Sequence, residues 1–272
     1  MKFMEKFICP ACGAPLNPTA PTWKCENGHC FDVARQGYVN LLTVQQKHSL
    51  HPGDTREQVL ARQAFLDGGF YTPIMDALCE LAIAHGGAGT VLDVGCGEGS
   101  YCTRLAKELN AWLIGVDVSK EAVRVAAARH KNAAWLCATA AHLPVADGSI
   151  DLLTSLFAIT LPEEYRRVLR EDGTFIQVLA APDHLLGLKS IIYPTLTHKE
   201  KISTPELPGF RLAESRSVRF SFTVEGQQVQ NLLYMTPHLF RISKEGAARL
   251  AETERLTDTA SCVLNVYKRG DL

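Results

Sequence analysis

The sequence predicts an α/β fold: a Rossmann-like, mostly parallel sheet of seven strands behind a small cysteine-bearing lobe. Three observations carry this reading. From Thr90 onward, short apolar runs alternate with helix-like segments, the pattern of a parallel sheet. The block Val91-Leu92-Asp93-Val94-Gly95-Cys96-Gly97-Glu98-Gly99-Ser100-Tyr101 ends an apolar run in an acid and then places glycines at alternate positions. Finally, Cys9, Cys12, Cys25, His29 and Cys30 crowd a segment with little apolar content of its own.

Three regions separate in order. Residues 1–36, rich in Cys, Pro, Asn and Gly, form the lobe, and residues 37–89 a linker and helical lead-in. Within the lead-in, Gln45 to Thr55 is polar and loop-like, and helices are expected over 57–66 and 72–84. The second ends at Gly86-Gly87-Ala88-Gly89. Residues 90–272 form the main domain. Strands are expected at 90–94, 112–117, 134–138, 151–156 and 173–179, with helices at 100–109, 119–130 and 163–170. Ser119 reads as an N-cap. Asp147-Gly148 and Asp172-Gly173 read as turns before the fourth and fifth strands. Further on, 182–192 is helical, 194–208 loop-like, and 216–224 alternates as a strand. Helices near 225–234 and 244–252 precede a last strand at 262–267, and the two late strands complete the seven.

The glycine block reads as a buried strand turning sharply into a helix. Missing side chains there let a ligand lie against backbone amides at the helix start. A dinucleotide site usually shows G-x-G-x-x-G and seats a pyrophosphate on the helix. Here the spacing is G-x-G-x-G, and Asp93 would repel that anion. A carboxylate at this point suits the amino group of a methionine moiety. A second apolar run, Ala111 to Val116, closes on Asp117, placed to accept both ribose hydroxyls. Together these features favour S-adenosylmethionine, and the block resembles the first two motifs of class I methyltransferases.

Composition sets outer bounds. A chain of 272 residues can bury one large or two modest cores. No run approaches the eighteen or so apolar residues of a membrane span, and the N-terminus lacks the apolar stretch of a signal peptide. Nine cysteines, an odd number, include Cys79, Cys102, Cys137 and Cys262 in apolar segments, which suits a reducing cytoplasm. A net charge of −1 gives no bulk support for nucleic-acid binding. The arginine groups Arg166/Arg167/Arg170 and Arg211/Arg216/Arg219 lie among acids and read as solvated faces.

In the lobe, Cys9 and Cys12 can bite one metal ion from a tight turn, and a second pair arriving on a hairpin completes a tetrahedron. The spacing C-x2-C-x12-C-x3-H is close to that of structural zinc sites, in a segment that could not fold unaided. Pattern alone leaves His29 and Cys30 equal as fourth ligand.

Taken together, three segments resemble the RlmA family of 23S ribosomal RNA guanine-N1 methyltransferases. The first is the cysteine knuckle running into His29-Cys30-Phe31-Asp32. The second runs through Gly37-Tyr38-Val39-Asn40-Leu41-Leu42, Pro52-Gly53-Asp54, Ala61-Arg62 and Phe65-Leu66-Asp67-Gly68-Gly69-Phe70-Tyr71. The third is the glycine turn with Asp117-Val118-Ser119. The resemblance implies zinc at Cys9, Cys12, Cys25 and His29. It also implies cofactor contacts from Tyr71, Gly97, Glu98 and His184, beside Asp93, Gly95 and Asp117. One departure is Phe157-Ala158-Ile159-Thr160, where the family tends to carry aromatic-Ala-Pro.

The expected activity is methyl transfer from S-adenosylmethionine to N1 of a guanine in a 23S rRNA hairpin loop, with the zinc lobe helping to grip RNA. N1 lies on the Watson–Crick edge, so the base must be unpaired or flipped, onto a surface such as Phe157. Asp54, Asp67, Glu163 and His184 are conceivable acceptors of the N1 proton, and none is singled out. The rivals are a small-molecule methyltransferase with a structural zinc lobe and a non-catalytic zinc-dependent RNA-binding protein. The expected location is cytoplasmic, with no membrane partner and a homodimer left open.

Overall fold

The computed structural model describes residues 4–47, 52–86, 89–196 and 202–270. The expectations for Gly87, Ala88 and parts of the loops 45–55 and 194–208 lie outside these residues. The N-terminal lobe is a three-stranded antiparallel sheet of β1 (Leu16–Asn17), β2 (Thr22–Cys25) and β3 (Cys30–Asp32), in that order. Gly28, at φ +82°, makes the tight β2–β3 turn where a side chain would be strained.

The lobe's apolar residues do not form a separate core. Phe7, Leu16 and Trp23 are buried in one continuous cluster with Leu92, Ile114 and Leu136 of the main sheet. The Phe7 and Trp23 rings stand 4.7 Å apart, and Phe7 bridges Val145 in antiparallel fashion. A lobe too small to fold by itself thus stabilises its apolar side chains on the larger domain.

The main sheet has eight strands rather than seven. The additional one is β4 (Tyr38–Asn40), which lies in the stretch expected to be linker and pairs parallel with β7. Next come α1 (Arg56–Asp67) and α2 (Thr72–Ala84). A reciprocal capping box starts α1: Gln58 N–H donates to the Thr55 hydroxyl, and Thr55 N–H to the Gln58 side-chain oxygen at 3.0 Å. The alternating core is then β5 (Thr90–Val94), α3 (Ser100–Glu108), β6 (Trp112–Asp117), α4 (Lys120–Arg129), β7 (Ala133–Cys137), β8 (Ile150–Leu156), α5 (Pro162–Val168) and β9 (Leu169–Ala180). Ser119 caps α4 as expected, its hydroxyl accepting from Ala122 N–H at 3.2 Å.

Beyond β9 lie α6 (Leu186–Ile192), β10 (Phe210–Glu225), α7 (Gln227–Tyr234), α8 (Lys244–Ala251) and β11 (Arg255–Arg269). The strand order is β10-β11-β9-β8-β5-β6-β7-β4, parallel except around β11. Asp172-Gly173 is not a turn before the fifth strand. It lies inside β9, where the pairing register with β8 shifts between Ile150 and Leu152, so the extra residues are taken up as a bulge. The reversal of strand order beside β5 opens a crevice at the carboxyl ends of β5, β6 and β8.

Candidate functional site

Three glycines make the turn after β5, and each has positive φ: Gly95 +78°, Gly97 +57° and Gly99 +87°. Two of them also admit close neighbours. A Cβ at Gly95 would lie 2.7 Å from the Ala158 Cβ, and one at Gly99 would lie 2.6 Å from the Trp135 ring. The alternate glycines therefore satisfy both the backbone and the packing, and they put no side chain between a ligand and the main chain of the turn.

Asp117 at the end of β6 ties this turn down. Its Oδ2 accepts from Gly97 N–H at 2.9 Å and its Oδ1 from Ser119 N–H at 2.8 Å. Each oxygen keeps a second lone pair, as a ribose diol requires. Burial raises its pKa. Asp93 sits one strand away, 3% exposed, with Oδ1 accepting from the Thr154 hydroxyl at 2.6 Å. Burial outweighs that bond and pushes its carboxyl up to about 6.

Glu98 is 2% exposed, and its Oε1 has no hydrogen-bond partner. The Tyr101 hydroxyl is buried and likewise unpartnered. Orphaned buried polar atoms are uncommon in folded proteins, and two beside one turn mark the place of a polar ligand. Tyr71 and His184, distant in sequence, meet with Oη to Nε2 at 3.3 Å. The His184 ring in turn stacks on Phe157 at 6.0 Å between centroids. Phe157 holds φ +54°, a conformation rare for a bulky residue, and remains 41% exposed. All seven residues read as cofactor contacts thus lie in or beside this crevice. They suit a ligand with an adenosine, a cationic centre and polar ends.

Sequence reasoning passed over what closes the crevice. Asp54 pairs with Arg62 at 2.8 Å, and Arg62 also donates to the Met235 carbonyl at 3.2 Å. The Ser119 hydroxyl donates to the Asp54 carbonyl at 2.6 Å, and a Cβ at Gly53 would fall 2.7 Å from that of Ser119. The 52–54 segment is therefore pinned over Asp117. Asp54 and Arg62 both lie in segments that carry the family resemblance, but Arg62 also reaches the distant Met235, a contact that leaves no periodic signal. Asp67 and Glu163 are elsewhere: Asp67 pairs with Arg129 at 2.7 Å, and Glu163 lines an open groove of about 870 Å³ with Arg166 and Arg170. Four of the six clustered arginines pair with acids: Arg167 with Glu164 and Asp147, Arg170 with Asp151 and Asp172, Arg216 with Glu80 and Glu214, and Arg219 with Asp183.

In the lobe, the ligand atoms of Cys9, Cys12, Cys25 and His29 all lie within 4.8 Å of one another. Cys12 and Cys25 Sγ are 3.8 Å apart, and Cys25 Sγ is 3.4 Å from His29 Nδ1. A tetrahedral zinc ion with Zn–S near 2.3 Å separates its sulfur ligands by about 3.8 Å, so the donor set fits. Cys30 is exposed, and its thiol donates to the Gly28 carbonyl at 3.4 Å. The geometry thus gathers His29, and not Cys30, as the fourth donor.

Two family models match the chain. One described as "RlmA, N-terminal" covers residues 7–50, and one described as "Methyltransferase domain" covers residues 91–173. A Streptomyces fradiae protein named 23S rRNA (guanine(748)-N(1))-methyltransferase is 36% identical over 249 residues, spanning 89% of this chain and 88% of that protein. A Bacillus subtilis protein, whose name provisionally assigns it to 23S rRNA guanine-N(1) methylation, is 31% identical over 90% of this chain and 91% of its own length. One from Micromonospora griseorubida with a provisional name of the same kind is 39% identical over 66% of this chain and 67% of its own.

Proposed function

The chain belongs to the family of 23S rRNA (guanine-N1)-methyltransferases, and on that footing we propose that it methylates N1 of a guanine in a hairpin loop of 23S rRNA. The observation that carries this is the joint presence, along one chain matched nearly end to end, of the cofactor turn and the Cys₃His cluster. S-adenosylmethionine supplies a methyl group made electrophilic by its sulfonium, so the protein has mainly to bind and align.

The chain's residues divide that work. Asp117 holds the ribose with its remaining lone pairs, and the side-chain-free Gly95 and Gly97 let the ligand lie close against the main chain. Asp93 and Glu98 favour the positive end of the methionine moiety, and Tyr71 and His184 wall it in. Cys9, Cys12, Cys25 and His29 hold zinc, which orders the lobe. Phe157 offers an exposed ring beside His184 on which an unstacked guanine can lie.

Of the four groups considered for the N1 proton, Asp54 and His184 are at the crevice and both are already engaged, Asp54 by Arg62 and His184 by Tyr71 and Ser261. No base is assigned. Among the described residues no helix is long and apolar enough to cross a membrane. The reading places the enzyme in the cytoplasm with ribosomal RNA, and a homodimer remains for sedimentation to decide.

Primer extension tests the acceptor. Methylation at N1 blocks reverse transcription, so incubation with S-adenosylmethionine should create a stop at one guanine of 23S rRNA. Cofactor binding without any stop would favour a small-molecule acceptor, and no cofactor binding would favour a non-catalytic scaffold.

A further inference from the structure

S-adenosylmethionine carries a carboxylate as well as its cationic centres, and the residues assigned so far serve the cations and the ribose. Two buried carboxylates, Asp93 and Glu98, and the half-buried Asp117 surround the turn. They suit a sulfonium and an ammonium but would repel the third charged group. Arg62 reaches this place from α1. Its Nη1 lies 3.5 Å from the position a Cβ on Gly97 would take. Both of its hydrogen-bonded contacts, to Asp54 and to the Met235 carbonyl, use Nη2. That leaves Nη1, the nitrogen nearest the turn, to a ligand, on a side chain that is still 28% exposed.

Beside it lie the two orphaned polar atoms. A tyrosine hydroxyl can donate to a carboxylate, whereas the Glu98 carboxylate can only accept and so suits the ammonium. The positive charge of Arg62 is felt by both Tyr101 and Asp117, which places it between the methionine end and the ribose end of the crevice.

We propose that Arg62 and Tyr101 form the subsite that receives the carboxylate of the cofactor's methionine moiety, with Asp54 positioning Arg62. This rests on the cofactor reading above but not on the identity of the RNA acceptor. A guanidinium fork fits a carboxylate, and charge-assisted bonds of this kind are among the stronger ones.

Calorimetric titration with two thioether ligands tests it. S-adenosylhomocysteine carries the amino-acid end, and 5′-methylthioadenosine lacks it. Arg62→Ala should weaken S-adenosylhomocysteine roughly ten- to a hundredfold and leave methylthioadenosine within about twofold. Tyr101→Phe should show the same selectivity at about three- to tenfold. Arg62→Lys should fall between, since it keeps the charge and loses the fork. Should Arg62→Ala fail to fold, Arg62→Lys and Tyr101→Phe decide by the same comparison. Equal weakening of both ligands, or none of either, would overturn the subsite. Failure of the unmodified protein to bind either ligand would instead overturn the cofactor reading, and this inference with it.

Discussion

The hydroxyl of Tyr71 lies 3.3 Å from Nε2 of His184, joining the start of α2 to the segment after β9 across 113 residues of chain. His184 Nδ1 accepts from Ser261 N–H at 3.1 Å. The neutral ring therefore carries its proton on Nε2 and donates it to Tyr71. Burial holds the Tyr71 phenol well above its ordinary range, so it stays protonated at any pH of interest. Removing the hydroxyl as Tyr71→Phe leaves a buried ring in place and takes away the contact that Tyr71 offers the imidazole. Cofactor affinity should drop about three- to tenfold by calorimetry, corresponding to about 1 kcal/mol, with little change in thermal unfolding.

The metal cluster yields a ligand-by-ligand prediction. Metal analysis of the purified protein should give about one zinc per chain. Cys12→Ala and His29→Ala should each lose most of it, because removing one ligand of four leaves an open site. Cys30→Ser should retain the full equivalent, since its thiol faces the Gly28 carbonyl rather than the cluster. Zinc retained in His29→Ala and lost in Cys30→Ser would reverse the assignment.

Gly115 in the middle of β6 is set by packing rather than by backbone freedom. A Cβ there would lie 2.3 Å from Cζ3 of Trp135, a residue 2% exposed whose indole N–H is already bonded to the His130 carbonyl at 2.7 Å. The ring cannot withdraw without breaking that bond. Gly115→Ala should therefore destabilise by about 1–3 kcal/mol, read as a lower urea midpoint with an unchanged slope.

Much of this arrangement was legible in the chain. The strands from β5 to β9 announce themselves as apolar runs between helical segments, and the glycine turn with its two acids is a local pattern. β4 is different: three residues, Tyr38–Asn40, are too few to show a period of two, and their place comes from pairing with Trp135, Leu136 and Cys137. Of the long hairpin of β10 and β11, only 216–224, which alternates, and the apolar run 262–267 are legible as strands. Its ends are held by the partner strand, with Phe210 opposite Arg269 and Glu225 opposite Arg255. At the site, Asp117 and the glycines could be read locally. The Arg62 bond to the Met235 carbonyl, the Ser119 bond to the Asp54 carbonyl and the unpartnered Tyr101 hydroxyl are products of tertiary folding, which no spacing encodes.

Asp93 gives the unliganded protein a definite pH signature. Its carboxyl is raised from 3.8 to about 6 by burial, so the folded state binds this proton more tightly than the unfolded one. The resulting stability is fully present below the unfolded value, falls as pH rises, and is gone above about 6. Its size is at most about 3 kcal/mol. Asp93→Asn can still accept from Thr154 and has no proton to lose. Urea midpoints between pH 4 and 8 should fall with pH more steeply in the unmodified protein than in this variant. Parallel curves would show that Asp93 is not the group responsible.

Nucleoside mass analysis of 23S rRNA incubated with the protein and isotopically labelled S-adenosylmethionine reads both the donor and the acceptor at once. Labelled 1-methylguanosine should form at up to about one residue per RNA molecule, and none with Asp117→Ala. Label confined to any other nucleoside, or absent from the RNA while the protein binds the cofactor, would contradict methylation at guanine N1.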